Sequence, residues 1–217
     1  MGNCIFLRRG AVPSSEPQLG DLEPGSLIGI EENGTQVPFI VLAHGYPAAG
    51  RTLVLRQDCY DERIFNNGNS FNNSYIYNWL NNNYLALLSS DVQSMIDTVT
   101  IKCVRGSGSG MLIDVSAKIF LLSGVETGCD AGYMSGSEGE AIPYFNSNLR
   151  RIAYLNQTPV VWWTRSPYYF NTSDMWVIPE DGDSAAQRET ANNRHECGSR
   201  PAFTLPVSMK PIIWEDV

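Results

Sequence analysis

Apolar positions in the first third of the chain fall in short, β-rich runs. SLIGI (26–30) and TQVPFIVLA (35–43) are separated by Glu31-Glu32-Asn33-Gly34, which predicts a hairpin with Asn-Gly at its turn. A third strand is expected at RTLVLRQ (51–57), after a loop over 45–50. The period then changes. Tyr75, Ile76, Trp79 and Leu80 recur at helical spacing, with Asn72 or Asn73 in place to cap. A second helix is expected after Ser89-Ser90, with Val92, Met95, Ile96 and Val99 on one face and Asp91 in its first turn. VTIKCV (99–104) predicts a strand, 106–110 a loop and AKIFLLSG (117–124) a buried strand or short helix. Residues 128–141 read as a polar, glycine-rich insert, and from Val160 onward the pattern is short strands and turns. Helices followed by many short strands predict an α+β fold, two helices packed on small antiparallel sheets with long irregular loops. Residues 1–24 have little periodicity and read as an attachment arm, leaving one domain over 25–217.

Composition narrows the partners. Of 217 residues 43% are hydrophobic and 18% charged, enough apolar surface for a core that needs no metal or disulfide framework. The net charge of −8 and 15 scattered basic residues argue against a nucleic-acid backbone or an anionic membrane as partner. No apolar run is long enough for a membrane span, so no membrane insertion is expected. The first ten residues lack the apolar stretch of a signal peptide, and Leu7 follows Phe6 where myristoylation needs a different pattern. The protein is therefore expected to be made in a cytoplasm and, if exported, to travel by another route, such as assembly into a particle. Five cysteines without C-x-x-C spacing read as free structural thiols.

Catalytic chemistry finds little support in the sequence. There are two histidines, His44 and His195, and no nucleophile elbow, P-loop or metalloprotease helix. Carboxylates gather at Asp58/Asp61/Glu62, at Glu138/Glu140 and at Glu180/Asp181/Asp183, and all three groups read as solvated turns rather than metal sites. No metal, calcium included, and no other cofactor is expected. The sequons at Asn33, Asn72, Asn156 and Asn171 carry no weight without a secretory signal.

The informative stretch is 160–203. Val160-Val161-Trp162-Trp163 predicts a fully apolar strand ended by Arg165-Ser166-Pro167, and Gly198–Phe203 re-enters the core. Between these anchors lie about thirty mostly polar and aromatic residues, among which Val177, Gly182 and Ala191 look structural. Such a segment suits a binding face, since Tyr and Trp give contact area at low entropy cost and Asn, Ser, Arg and Glu give adaptable hydrogen bonds. A plain exposed loop region has the same composition.

WWTRSP (162–167), WVIPEDG (176–182) and GSRPAF (198–203) resemble the W-W-L-R-S-P, V-x-x-x-G, G-[VI]-R-P-A-[FL] frame of a domain of unknown function abundant in gut Firmicutes and their phages. AKIFLLSG (117–124), RIAYLN (151–156), IYNWLN (76–81) and VPFIVL (37–42) match further frame elements, so that the likeness covers about 24–206. The resemblance implies a C-type-lectin-like fold, close to the formylglycine-generating-enzyme branch, and a variable protein of the kind rewritten by diversity-generating retroelements. Arg194, Gln187 and Glu189 depart from the codon pattern of such rewriting. The calcium motifs of sugar-binding lectins are missing, and Cys197 is unaccompanied where the formylglycine-generating enzymes need a cysteine pair.

The expectation is a ligand- or receptor-binding, adhesin-like protein of phage or prophage origin, not an enzyme, located in a virion or on a bacterial surface. Its partner would be a protein or glycan receptor on a bacterial surface, and a homo-oligomer is compatible with the sequence. The expected ligand face comprises Tyr168, Tyr169, Asn171, Ser173, Asp174, Trp176, Ile178, Glu180, Gln187, Arg188, Glu189, Asn192, Asn193, Arg194, His195 and Glu196. One alternative is a virion structural or decoration protein on the same fold. Another is an enzyme, which would need carboxylates such as Glu180 and Asp183 facing each other across a cleft.

Overall fold

The computed structural model describes residues 16–106, 110–129, 138–168, 170–185, 187–192 and 197–214. Strands β1 (Leu27–Glu32) and β2 (Thr35–His44) form the expected hairpin. Asn33 (φ 52°) and Gly34 (φ 73°) both lie in the left-handed region, where these two residue types are tolerated and where the turn matches the twist of the strands. β3 (Arg51–Arg56) pairs antiparallel with β2, and β14 (Ala202–Pro206) runs along the other edge of β3. The short β7 (Ile119–Phe120) and β15 (Ile212–Ile213) complete a six-stranded sheet in the order β15-β1-β2-β3-β14-β7.

A second sheet has the order β12-β11-β10-β13-β4, made of Gln187–Thr190, Asp174–Ile178, Trp162–Pro167, Gly198–Ser199 and Asp61–Glu62. Its β10/β13 pair is parallel and the others antiparallel. The chain passes from β13 directly into β14, so Arg200 and Pro201 join the two sheets. Two hairpins, β5 (Val99–Val104) with β6 (Leu112–Ala117) and β8 (Tyr154–Leu155) with β9 (Thr158–Pro159), stand apart.

The helices are shorter than the periodicity suggests. α1 (Tyr75–Trp79) starts at Ser74, not at Asn72 or Asn73, because the Ser74 hydroxyl accepts from Tyr77 N at 3.0 Å. It widens into a π turn over Leu80–Tyr84 and closes in a 3-10 turn over Leu85–Leu87. Ile76, Leu80 and Tyr84 remain on the buried side throughout. From within this turn the Asn81 side chain accepts from Lys118 N (2.9 Å) and Ile119 N (3.1 Å) and donates to Ile119 O (2.9 Å), which pins β7. α2 (Ser90–Met95) begins at Ser89 as expected, but Val99 belongs to β5 rather than to the helix face.

Three further expectations change. AKIFLLSG supplies only a two-residue strand, and residues 121–124 continue buried without ladder bonds. Arg165-Ser166-Pro167 does not end the apolar strand: β10 runs through it with all six residues buried. The packed domain also begins before Gly25, since Leu19 is fully buried and Leu19 N and Gly20 N donate to Met209 O and Val207 O. The part of the expected arm before residue 16 lies outside the described residues.

Alternation explains why the second sheet shows so few polar positions. Trp163, Met175 and Val177 face the main core, while Trp162, Trp176 and Ile178 face a smaller cluster with Cys59, Cys129 and Ala153. A sheet covered on both faces reads as a continuous apolar run rather than an alternating one. The architecture is a mixed α+β domain dominated by sheets. No helix among the described residues is long and apolar enough to cross a membrane.

Candidate functional site

The backbone of the expected ligand face is built on the second sheet. Trp162 and Trp163 are both fully buried, and their indole nitrogens donate to Arg151 O (2.9 Å) and Arg63 O (2.7 Å). β10 thus ties the 151 segment to the 63 segment through side chains as well as through its ladder. The next inward charge, Arg165, is 1% exposed and forms a two-pronged ion pair with the equally buried Glu126, at 2.5 and 2.8 Å. Its remaining N–H groups go to Leu121 O (2.9 Å), Lys102 O (3.1 Å) and Glu138 O (2.6 Å), which satisfies all five donors of the guanidinium. Glu126 also accepts from Tyr46 Oη (2.5 Å) and Ser123 N (2.8 Å).

Glu138, expected on a solvated turn, is instead buried within this network. It accepts from Val104 N at 2.6 Å and from the Ser166 hydroxyl. Burial pushes its carboxyl up to about 7, against the downward pull of Arg165 and of those two hydrogen bonds. The Tyr46 phenol is raised above its ordinary range, first by burial and then by the Glu126 charge. Nothing in the spacing of Tyr46, Glu126, Glu138 and Arg165 reveals this hub. The one signal is an arginine directly after a fully apolar run, since a buried guanidinium needs acceptors for its N–H groups.

Beyond Pro167 the chain turns back into β11, which pairs antiparallel with β10. Asn69, 2% exposed, donates from Nδ2 to Tyr168 O (3.0 Å), Asn171 O (2.9 Å) and Asp174 O (3.2 Å). Asn171 Oδ1 accepts from Ser173 N (3.0 Å) and Asp174 N (2.9 Å), and its Nδ2 donates to Asp174 Oδ2 (2.7 Å). Ser173 and Thr190 hydroxyls reach Asp174 Oδ1 at 3.1 and 3.4 Å. Asn171, Ser173 and Asp174 therefore shape the turn.

What the turn presents is aromatic and cationic. The Tyr168 ring lies 5.0 Å from Trp176, edge to face, and 5.3 Å from Phe170, with the Arg188 guanidinium 4.8 Å from its centroid. Phe170 is 61% exposed, and the sequence reading missed it because it is flanked by polar residues that looked more informative. Gln187, Arg188 and Asn192 are exposed, Glu189 is half-buried, and Glu180 sits on an exposed turn with Asp181 and Asp183.

Two expected ligand residues are corrected. Trp176 is 5% exposed and Ile178 fully buried, because Val125, Cys129, Ala153, Leu155, Val160 and Tyr168 cover that side of β11. They form the floor of the face rather than its surface. Val177, Gly182 and Ala191 are buried as their structural reading required. Tyr169, Asn193, Arg194, His195 and Glu196 lie outside the described residues.

Among the described residues, the histidine and thiol groups that nucleophilic chemistry would use are either hydrogen-bonded or buried. His44 holds Thr52 Oγ1 and Leu22 O, each at 2.8 Å. Cys59, Cys103, Cys129 and Cys197 are free and buried, and burial pushes the Cys59 and Cys103 thiols up to about 12, away from the thiolate form. Among the described residues no group of three His, Cys, Asp or Glu could hold a metal ion.

Fold and site define a mixed α+β domain, dominated by two sheets, that carries an aromatic–cationic hairpin. The chain belongs to the family described as Domain of unknown function (DUF6273), whose model matches residues 49–207. That span takes in β3 through β14, with Glu126, Glu138 and Arg165 of the hub and the Tyr168 hairpin, and leaves out Tyr46, β1, β2 and β15. No curated protein matches the chain, and no solved structure does.

Proposed function

We propose that the protein is a ligand- or receptor-binding domain of C-type-lectin-like fold, not an enzyme, that recognises a protein or glycan on a bacterial surface. The observation that carries this reading is the Phe170–Tyr168–Arg188 group, which stands on a buried Trp176 floor and is held by the Asn69 and Asp174 hydrogen bonds. A rigid aromatic platform with a guanidinium at its edge is the composition of interface hot spots, and it also suits stacking on a sugar ring. The frame motifs support an origin in a phage or prophage and a place in a virion or on a cell surface. The likeness to variable proteins supports a face whose outward side chains change while its floor stays.

The test is binding of the fluorescently labelled full chain to intact gut Firmicutes cells and to an array of bacterial surface glycans. Wild type should bind saturably to at least one of these, and Phe170→Ser combined with Arg188→Glu should abolish that binding while melting close to wild type. Undiminished binding by the double variant would remove the face from consideration.

A second reading, a virion structural protein, is favoured by Ile212 and Ile213, which are 55% and 47% exposed on the edge strand β15. It predicts concentration-dependent self-association in analytical ultracentrifugation that Ile212→Lys weakens.

A further inference from the structure

A buried arginine without a full set of partners marks a second place on the molecule. Arg200 is 1% exposed, donates from Nε to Arg56 O (3.0 Å) and from Nη2 to Gln57 O (2.7 Å), and lies over the Trp162 ring at 4.9 Å. Its Nη1 is buried and has no hydrogen-bond partner, and among the described residues no carboxylate makes an ion pair with it. The other buried arginines differ. Arg165 is paired with Glu126, and Arg151, which also lacks a carboxylate, reaches four carbonyls and Asn148 Oδ1. A buried cation left one partner short is costly, and a ligand that supplies the missing acceptor removes that cost.

Arg200 forms part of the wall of a cavity of about 230 Å³ between the β1–β2 region and the 144–154 segment. Arg150 stands at its rim, its guanidinium 4.7 Å from the Tyr144 ring centroid and against Gly25, where an added Cβ would meet Arg150 Nη1 at 3.2 Å. Tyr144 and Tyr154 add rings and hydroxyls, while Leu149 and Ile152 add apolar surface. The lining holds two guanidinium charges against the single carboxylate of Asp58, an excess of one positive charge. The volume lies below the range of about 300–1,000 Å³ usual for larger ligands, so the occupant is small. None of these residues belongs to the Tyr168 face.

We propose that this cavity binds a small organic anion, its carboxylate or phosphoryl group held by Arg150 and Arg200 and its body against Tyr144 and Tyr154. Such a ligand would place a negative charge beside Arg200, which offsets the burial that pulls its guanidinium below the ordinary value. It would also draw the 144–154 segment onto the sheet junction at Arg200-Pro201.

The experiment titrates the full chain with sodium D-glucuronate and, separately, with inorganic phosphate, at ionic strength held constant with chloride. Calorimetry and the arginine Nε–H NMR resonances are the readouts. One of the two anions should saturate by ~10 mM and move the Arg200 resonance, and which one does identifies the charged group. Arg150→Gln, at an exposed position, should keep the melting temperature and weaken binding about tenfold, the worth of a charge-assisted hydrogen bond. Arg200→Lys tests the inner cation. If it fails to fold, Arg150→Gln and the Arg200 resonance still decide the matter. Absence of saturation by both anions, or unchanged affinity in Arg150→Gln, overturns the assignment.

Discussion

Glu138 is the residue whose chemistry departs furthest from its ordinary behaviour. Its carboxyl titrates near 7 in the folded protein against an ordinary 4.5, so between these values the native state holds more protons than the unfolded chain. Stability from this group is therefore complete below about pH 4.5 and declines as the pH rises to 7, by about 3 kcal/mol for the whole shift. Glu138→Gln cannot ionise and escapes that decline. Thermal melts from pH 5 to pH 8 should show the variant gaining on wild type by up to that amount. Parallel profiles would mean that Glu138 carries no such shift. At Arg165 the expected effect is larger, and it is read at pH 8. Replacing it with Met leaves Glu126 buried without its cation, a change that costs about 3–5 kcal/mol in comparable pairs, measurable by urea unfolding.

At the scale of elements, the parts of the fold legible in the sequence are those whose pattern is local. The Asn33-Gly34 hairpin, the three early strands, the two helix positions and β5 follow from turn chemistry and period alone. The helix start at Ser74 was not legible, because Asn72, Asn73 and Ser74 are all good caps and only the tertiary fold selects among them. Ser74→Ala should lower stability by about 1 kcal/mol, a melting shift of roughly 2–4 °C for a chain of this size. The fully apolar Trp162-Trp163 run announced burial, but not that its two rings enter different cores or that the strand continues through Arg165. Each ring supports its own cluster and its own backbone carbonyl, so Trp162→Ala and Trp163→Ala should each cost about 3–5 kcal/mol in equilibrium unfolding. A mild effect at Trp162 would show that the smaller cluster collapses around the loss.

For the whole molecule the question is which side chains between Tyr168 and Asn192 hold the fold and which face outward. Composition marked the segment but could not divide it, since Trp176 and Ile178 look as suited to a ligand as Phe170 and Arg188 do. Division came from burial: β11 is sandwiched between the two clusters, while β12 lies at the edge of its sheet. Exposed substitutions at such an edge usually fall within about 0.5 kcal/mol of neutral. A combined Phe170→Ser, Gln187→Ala, Arg188→Glu and Asn192→Ala variant should therefore melt within a few degrees of wild type. Arg188 and Phe170 share the Tyr168 ring, so their effects can couple, and each single variant is measured beside the combination. Trp176→Ala, with the same nominal position in the segment, should instead lose about 3–5 kcal/mol because its ring is 5% exposed within the smaller cluster. In the cell and glycan binding assays the combined variant should lose its partner while folded, and Trp176→Ala, whose ring supports Tyr168, should lose binding together with stability. The opposite pattern, an unfolded surface variant beside a stable Trp176→Ala, would show scaffold and site to be interchanged.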